Sequence, residues 1–121
     1  IMPVVKDIDQ VDRRNLEFEE IGYEVMGEFG LTGRRYMRNG GDDRTHQIHA
    51  FQYDNTTDIM RHLAFRNYLR CHPDVCAYYG KLKVMLAKQF PQDIEAYSYG
   101  KDSFVKQVEC DALRWYWKNI E

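Results

Sequence analysis

The clearest pattern in the chain is an alternation. Over residues 45–53, His46, Ile48, Ala50 and Gln52 fall on one side, and Gln47, His49, Phe51 and Tyr53 on the other. A period of two predicts a strand. Residues 34–39 precede it, and Asn39-Gly40-Gly41-Asp42-Asp43 lies between the two, dense in turn formers. The pair therefore reads as a hairpin. Residues 23–28 predict a short strand, and Ile1-Met2-Pro3-Val4-Val5 a buried one, with Pro3 confined to an edge or bulge. Between them, Ile8, Val11, Leu16 and Ile21 predict one helix, capped by Asp7 or Asp9 and ended by Gly22.

Beyond residue 54 the period lengthens. A helix is expected from Asn55, Thr56 or Thr57 to about Cys71, and Pro73 suits the first turn of the next. That helix carries Val75, Tyr79, Leu82, Met85 and Leu86 at helical spacing. Pro91 predicts a break, then a short helix near 93–97 and a final one bearing Phe104, Val105, Val108, Ala112, Trp115 and Tyr116. The order predicts an α+β fold: a small mixed or antiparallel sheet over 1–54, packed with a C-terminal helical segment over 55–121, in one domain. The opening at Ile1, with no initiator methionine and no cap, reads as mid-strand, so the N-terminal part is expected to be missing.

Composition narrows the function classes. At 121 residues there is room for one domain. A net charge of −2 disfavours nucleic acid and anionic membrane as general partners. No apolar run is long enough to span a bilayer. Cys71, Cys76 and Cys110 form no CxxC pair and are odd in number. They predict a reduced, cytoplasmic protein whose thiols serve packing.

The candidate chemistry is basic. His62, Arg66 and Arg70 are successive i,i+4 neighbours on the predicted 55–71 helix, flanked by Ile59, Leu63, Phe65 and Leu69. A ridge among apolar residues is expected to be largely buried and to need partners. Two readings stay open: internal pairing with Asp54, Asp58 or Glu95, or binding of an external anion. Arg34, Arg35 and Arg38 adjoin glycine-rich turns and are further phosphate candidates, although basic hairpins are often merely solvated. Lys81, Lys83 and Lys88 read as a wet helix face. His46 and His49 sit on opposite faces of their strand and form no chelating pair, so no metal site is expected. The aromatics fall at core spacing and offer no stacking platform for bases. No GxSxG, Walker, HExxH or zinc-knuckle pattern occurs.

Several segments together resemble the GrpB family in order and spacing. They are Gly30-Leu31-Thr32-Gly33-Arg34-Arg35-Tyr36, Thr45-His46-Gln47-Ile48-His49-Ala50-Phe51, His62-Leu63-Ala64-Phe65-Arg66-Asn67-Tyr68-Leu69-Arg70 and His72-Pro73. Phe90-Pro91 and the stretch from Tyr97 to Phe104, with Lys101, continue the likeness. The resemblance implies a nucleotidyltransferase-like fold and a biochemical role still unassigned. It implies a phosphate-bearing small molecule or nucleotide as ligand, with His49, His62, Arg66, Arg70, Arg34, Arg35 and Lys101 as binding candidates. It also implies a functional link to dephospho-coenzyme A kinase, to which some members are fused. The superfamily's paired acids would fall before Ile1 and at Met2, so magnesium is expected only in the complete protein. Gln47 stands where many relatives carry histidine, which removes a His-x-His pair with His49. The rival reading is a non-catalytic interaction or regulatory module with an internally paired ridge.

Overall fold

The computed structural model describes residues 1–41 and 44–119. Among the described residues, four strands and five helices follow one another: β1 (Val4–Val5), α1 (Ile8–Asp12), α2 (Asn15–Glu20), β2 (Tyr23–Val25), β3 (Arg34–Asn39), β4 (His46–Gln52), α3 (Thr56–Cys71), α4 (Pro73–Gln89) and α5 (Ile94–Lys118). The chain forms two compact units, Ile1–Ile59 and Met60–Glu121.

In the first unit the sheet order is β1-β4-β3-β2. β3 pairs antiparallel with β4, Tyr36 opposite His49 and Met37 opposite Ile48, and β2 pairs antiparallel with β3. The hairpin is as expected, though Asp42 and Asp43 of its turn lie outside the described residues. β1 instead runs parallel to β4, Val4 beside Phe51, so the sheet is mixed rather than wholly antiparallel. The chain before β1 joins the same ladder: His49 N–H donates to the Ile1 carbonyl at 2.9 Å and Phe51 N–H to the Pro3 carbonyl at 3.2 Å. Pro3 is tolerated because β1 is an edge, where a missing donor interrupts no second ladder.

One sheet face carries Val5, Val25, Met37, Ile48 and Ala50, closed by Ile8, Val11 and Phe18 from α1 and α2 to form the core. The single helix expected before Gly22 is two short ones, turning at Arg13-Arg14. The break swings the second apolar set, led by Phe18, onto the sheet, where its ring meets Tyr23 edge-on at 6.5 Å. One straight helix with the imperfect spacing of Val11 and Leu16 would not bury both, and Leu16 stays 74% exposed. Gly22 does end α2, at φ +97°, a conformation glycine adopts without strain.

The second unit packs Ala64 of α3, Leu86 of α4 and Val108 and Ala112 of α5, all buried. Around them Phe65 meets Tyr79 edge-on at 5.8 Å, and Tyr79 lies 5.6 Å from Phe104. Asn55 Oδ1 accepts from Asp58 N–H at the start of α3, and Pro73 opens α4, both as the sequence predicts. The break expected after residue 97 is absent, and α5 runs unbroken through Gly100. The reason is close approach, since a Cβ at Gly100 would stand 2.5 Å from Leu86 Cδ2. The three cysteines are free and exposed, not packing residues. No helix of the described residues is long and apolar enough to cross a membrane.

Candidate functional site

Alternation along β3 and β4 sends Arg34, Tyr36, Arg38, Gln47, His49 and Phe51 to the sheet face opposite the core. Tyr36 is buried, and its ring lies 5.2 Å from His49 and 5.3 Å from Phe29. The Arg34 guanidinium sits 5.2 Å over the Tyr36 ring. It also donates to two loop carbonyls, Glu28 O at 3.2 Å and Phe29 O at 2.8 Å. Arg34 therefore fastens the Gly27–Gly33 loop over the sheet. Glu28 adds a second tie, its carboxylate accepting from Gly33 N–H at 2.5 Å.

Arg35 points to the core face and is consumed there. Its Nε and NH2 donate to the two Asp12 oxygens at 2.7 and 3.1 Å, and Glu28 stands 3.9 Å away. The hydrogen bond to Asp12 raises Arg35 above its ordinary pKa, so it remains a cation. Arg38 meets Glu24, directly opposite it on β2, at 2.8 Å. That hydrogen bond holds the Glu24 carboxyl below the usual carboxylate range. Of the hairpin arginines proposed for phosphate, Arg35 and Arg38 are thus closed by acids and Arg34 is occupied in holding the loop.

The basic ridge lies on α3 in the second unit. His62 is half-buried, whereas Arg66 and Arg70 are exposed. This corrects the expectation of a largely buried ridge. Ile59, Leu63, Phe65 and Leu69 are themselves only partly covered, and the fully buried stripe narrows to Ala64. Arg66 Nε donates to the amide oxygen of neighbouring Asn67 at 3.1 Å. Of the acids expected to close the ridge, Asp54 accepts from Gln52 and Asp58 accepts from Asn55. The arginine of α3 that does find an acid is Arg61, 3.0 Å from Glu109 of α5, both about three-quarters covered. Among the described residues, no carboxylate closes Arg66 or Arg70.

Lys101 on α5 places its ammonium 4.9 Å from the Tyr97 ring centre, and Lys83 is similarly placed at 4.4 Å from Tyr79. Lys83 is thereby half-buried rather than part of a wet face. The structure brings Arg34 and His49 together around Tyr36. It sets Arg35 on the other face and the α3 ridge and Lys101 in the second unit. Sequence reasoning missed two ring clusters. One is Phe29 upon Tyr36. The other joins Tyr68, His72 and Trp115, where His72 stacks on Tyr68 at 3.9 Å and contacts the Tyr68 carbonyl through Nδ1 at 2.8 Å. A carbonyl only accepts, so that nitrogen carries the proton. An aromatic four residues before a helix-ending histidine was the available signal. Among the described residues no three His, Cys, Asp or Glu side chains converge to hold a metal ion.

A mixed sheet backed by two short helices, followed by a three-helix unit, defines an α+β protein. Residues 1–110 match the family model described as GrpB protein, and the chain belongs to that family. The crystal structure of conserved protein GrpB from Enterococcus faecalis is similar at 52% identity and a TM-score of 0.86, covering 96% of this chain and 69% of that one. The UPF0157 protein YqkA of Bacillus subtilis is 42% identical over 111 residues, which cover 92% of this chain and 32% of YqkA. The glutamate-rich protein GrpB of Alkalihalophilus pseudofirmus is 28% identical over 108 residues, 86% of this chain and 60% of that protein. The chain thus spans from about a third to three-fifths of the length of these curated relatives.

Proposed function

We propose that this GrpB domain binds a phosphate-bearing small molecule, a nucleotide, through Arg66 and Arg70 of α3, with His62 on the same ridge. One observation carries the reading. The chain has 19 acidic residues against 17 lysines and arginines, so acids are not scarce. Arg14, Arg35, Arg38 and Arg61 each take one within 3.0 Å. Arg66 and Arg70, one helical turn apart, take none among the described residues. Two planar donors at that spacing suit the several oxygens of a phosphate or diphosphate.

A nucleotidyltransferase-like activity of the complete protein is the finer form of this proposal, supported by the family resemblance. The donor set does not fit a two-metal centre, because Met2 stands at the second acid position and, among the described residues, no acid cluster converges. No metal-dependent step is therefore assigned to these residues. A cytoplasmic setting is supported by three exposed free thiols, which persist in a reducing compartment. The link to dephospho-coenzyme A kinase is kept as a proposal of pathway context. The second reading, an interaction module, draws on Arg61–Glu109, which shows that part of α3 is closed internally.

Thermal melts of the full chain with inorganic phosphate, diphosphate and ATP test the proposal. A ligand that binds the folded state raises the melting temperature by mass action. Arg66→Ala and Arg70→Ala should melt like the parent without ligand, because exposed substitutions change stability by about 0.5 kcal/mol or less. Both should lose the ligand-induced rise. Equal rises in all three proteins would refute the ridge as the site, and no rise with any ligand favours the interaction module.

A further inference from the structure

We infer that Phe29 is a preformed stacking platform for a nucleobase. The inference takes its ligand class from the nucleotide reading but stands on the geometry of the first unit alone. Phe29 has φ +46°, the left-handed region that a bulky residue adopts only when its surroundings enforce it. The enforcement is visible. Arg34 donates to the carbonyls of Glu28 and Phe29 itself, and Glu28 is tied back to Gly33. Gly27, Gly30 and Gly33, all at positive φ, let the loop turn tightly enough for these ties.

The result is an aromatic ladder. His49, Tyr36 and Phe29 follow one another at ring spacings of 5.2 and 5.3 Å, and the Phe29 and Tyr36 planes are only 22° apart. The inner rung, Tyr36, is 3% exposed, whereas Phe29 remains 53% exposed. One face of the Phe29 ring is therefore used and the ring as a whole is half open. A phenyl needed only to cover Tyr36 would not require a flat, nearly parallel, strained placement. Any apolar side chain in an ordinary backbone conformation would do. A flat ring held rigidly at the end of a stack is suited to a flat ligand, because little side-chain freedom is lost on binding. The same loop carries two exposed polar residues, Glu28 and Thr32. A polar loop of this kind suits a base carrying donors and acceptors at its edge better than a plain hydrocarbon.

The test separates planarity from greasiness, and the base from the phosphate. Adenosine and guanosine, which carry no phosphate, and ribose 5-phosphate, which carries no base, are titrated into the full chain by calorimetry. The parent should bind the nucleosides. Phe29→Trp should bind them at least as well, and Phe29→Leu about tenfold or more weakly, the loss expected when a stacking ring is removed. All three proteins should show the same urea midpoint within error and the same affinity for ribose 5-phosphate. Nucleoside binding that is undetectable in the parent, or unchanged in Phe29→Leu, overturns the platform. Arg66→Ala and Arg70→Ala should leave nucleoside affinity untouched, so the platform and the phosphate ridge fail or survive separately.

Discussion

Replacing Gly100 by alanine sets two known effects against each other. Gly100 lies inside α5, where alanine is favoured over glycine by about 0.8–1.0 kcal/mol. Yet the new Cβ would stand 2.5 Å from Leu86 Cδ2, 3.2 Å from Cδ1 and 3.4 Å from Cγ. A leucine can sometimes swing a methyl aside, but Leu86 is only 4% exposed and its whole branched end is approached. Overpacking of this kind costs roughly 1–3 kcal/mol. The packing effect wins, and Gly100→Ala should be destabilising by up to about 2 kcal/mol. Leu86→Ala alone should cost about 2–5 kcal/mol. In that background the clash is gone, so Gly100→Ala should instead stabilise by about 1 kcal/mol. Urea titrations of the four proteins, followed by far-ultraviolet circular dichroism with unchanged slopes, give the cycle. A coupling of about 1–3 kcal/mol is expected. If Gly100→Ala changes stability equally in both backgrounds, Gly100 is not there for close approach and the account of the unbroken α5 is wrong.

Other expectations are briefer. Arg61→Ala should destabilise the chain by roughly 1–3 kcal/mol, because it leaves the largely covered Glu109 without its hydrogen bond, and Arg66→Ala should be near neutral; equal costs would contradict the assignment of one as paired and the other as exposed. Glu24 has a folded-state pKa below its ordinary value, chiefly through Arg38, so its contribution is present above the unfolded carboxylate pKa and is lost as pH falls through the folded one. Arg38→Ala should accordingly make the acid limb of the stability curve shallower, and an unchanged limb would count against the pair. Burial pushes the Tyr79 hydroxyl up, with Tyr97 and Glu109 adding to the effect. Its stabilising contribution is complete below the unfolded tyrosine pKa, about 10, and disappears as pH rises through the folded value, so Tyr79→Phe should unfold less steeply in alkali.

The hairpin, α3 and the start of α4 were legible because each rests on a local signal: alternation, a capping asparagine, a proline at the first turn. The parallel docking of β1 was not, since nothing local distinguishes a parallel edge from an antiparallel one. A break at Pro91 and a separate short helix near 93–97 were expected, but α5 is one helix through Gly100, and only the Leu86 packing reveals why a glycine stands there. For the site, the arginines could be named but not their partners. Asp12 reaches Arg35 across 23 positions and Glu109 reaches Arg61 across 48, beyond any sequence rule. The ridge was expected to be buried because apolar neighbours were counted without knowing how narrow the covered stripe of α3 is. Phe29 was overlooked because a lone aromatic between glycines carries no periodicity, and its backbone conformation and exposure are visible only in the fold.

The parallel seating of β1 beside β4 also orders the assembly of the sheet. The β3–β4 ladder closes through a short turn, whereas the β1 strip must find β4 across a gap such as the 46 positions between Ile1 and Gln47. Closing so long a loop is the more costly step, so the hairpin forms first and the β1 strip zips on last. Reversal follows the same path, with the two-residue edge strand peeling first. The backbone of β4 records this in alternate amides. Those of His49, Phe51 and Tyr53 donate to the β1 strip, while strand geometry turns those of Ile48, Ala50 and Gln52 towards β3. Hydrogen exchange should therefore run fast and slow in strict alternation along one strand, the odd-numbered amides exchanging first.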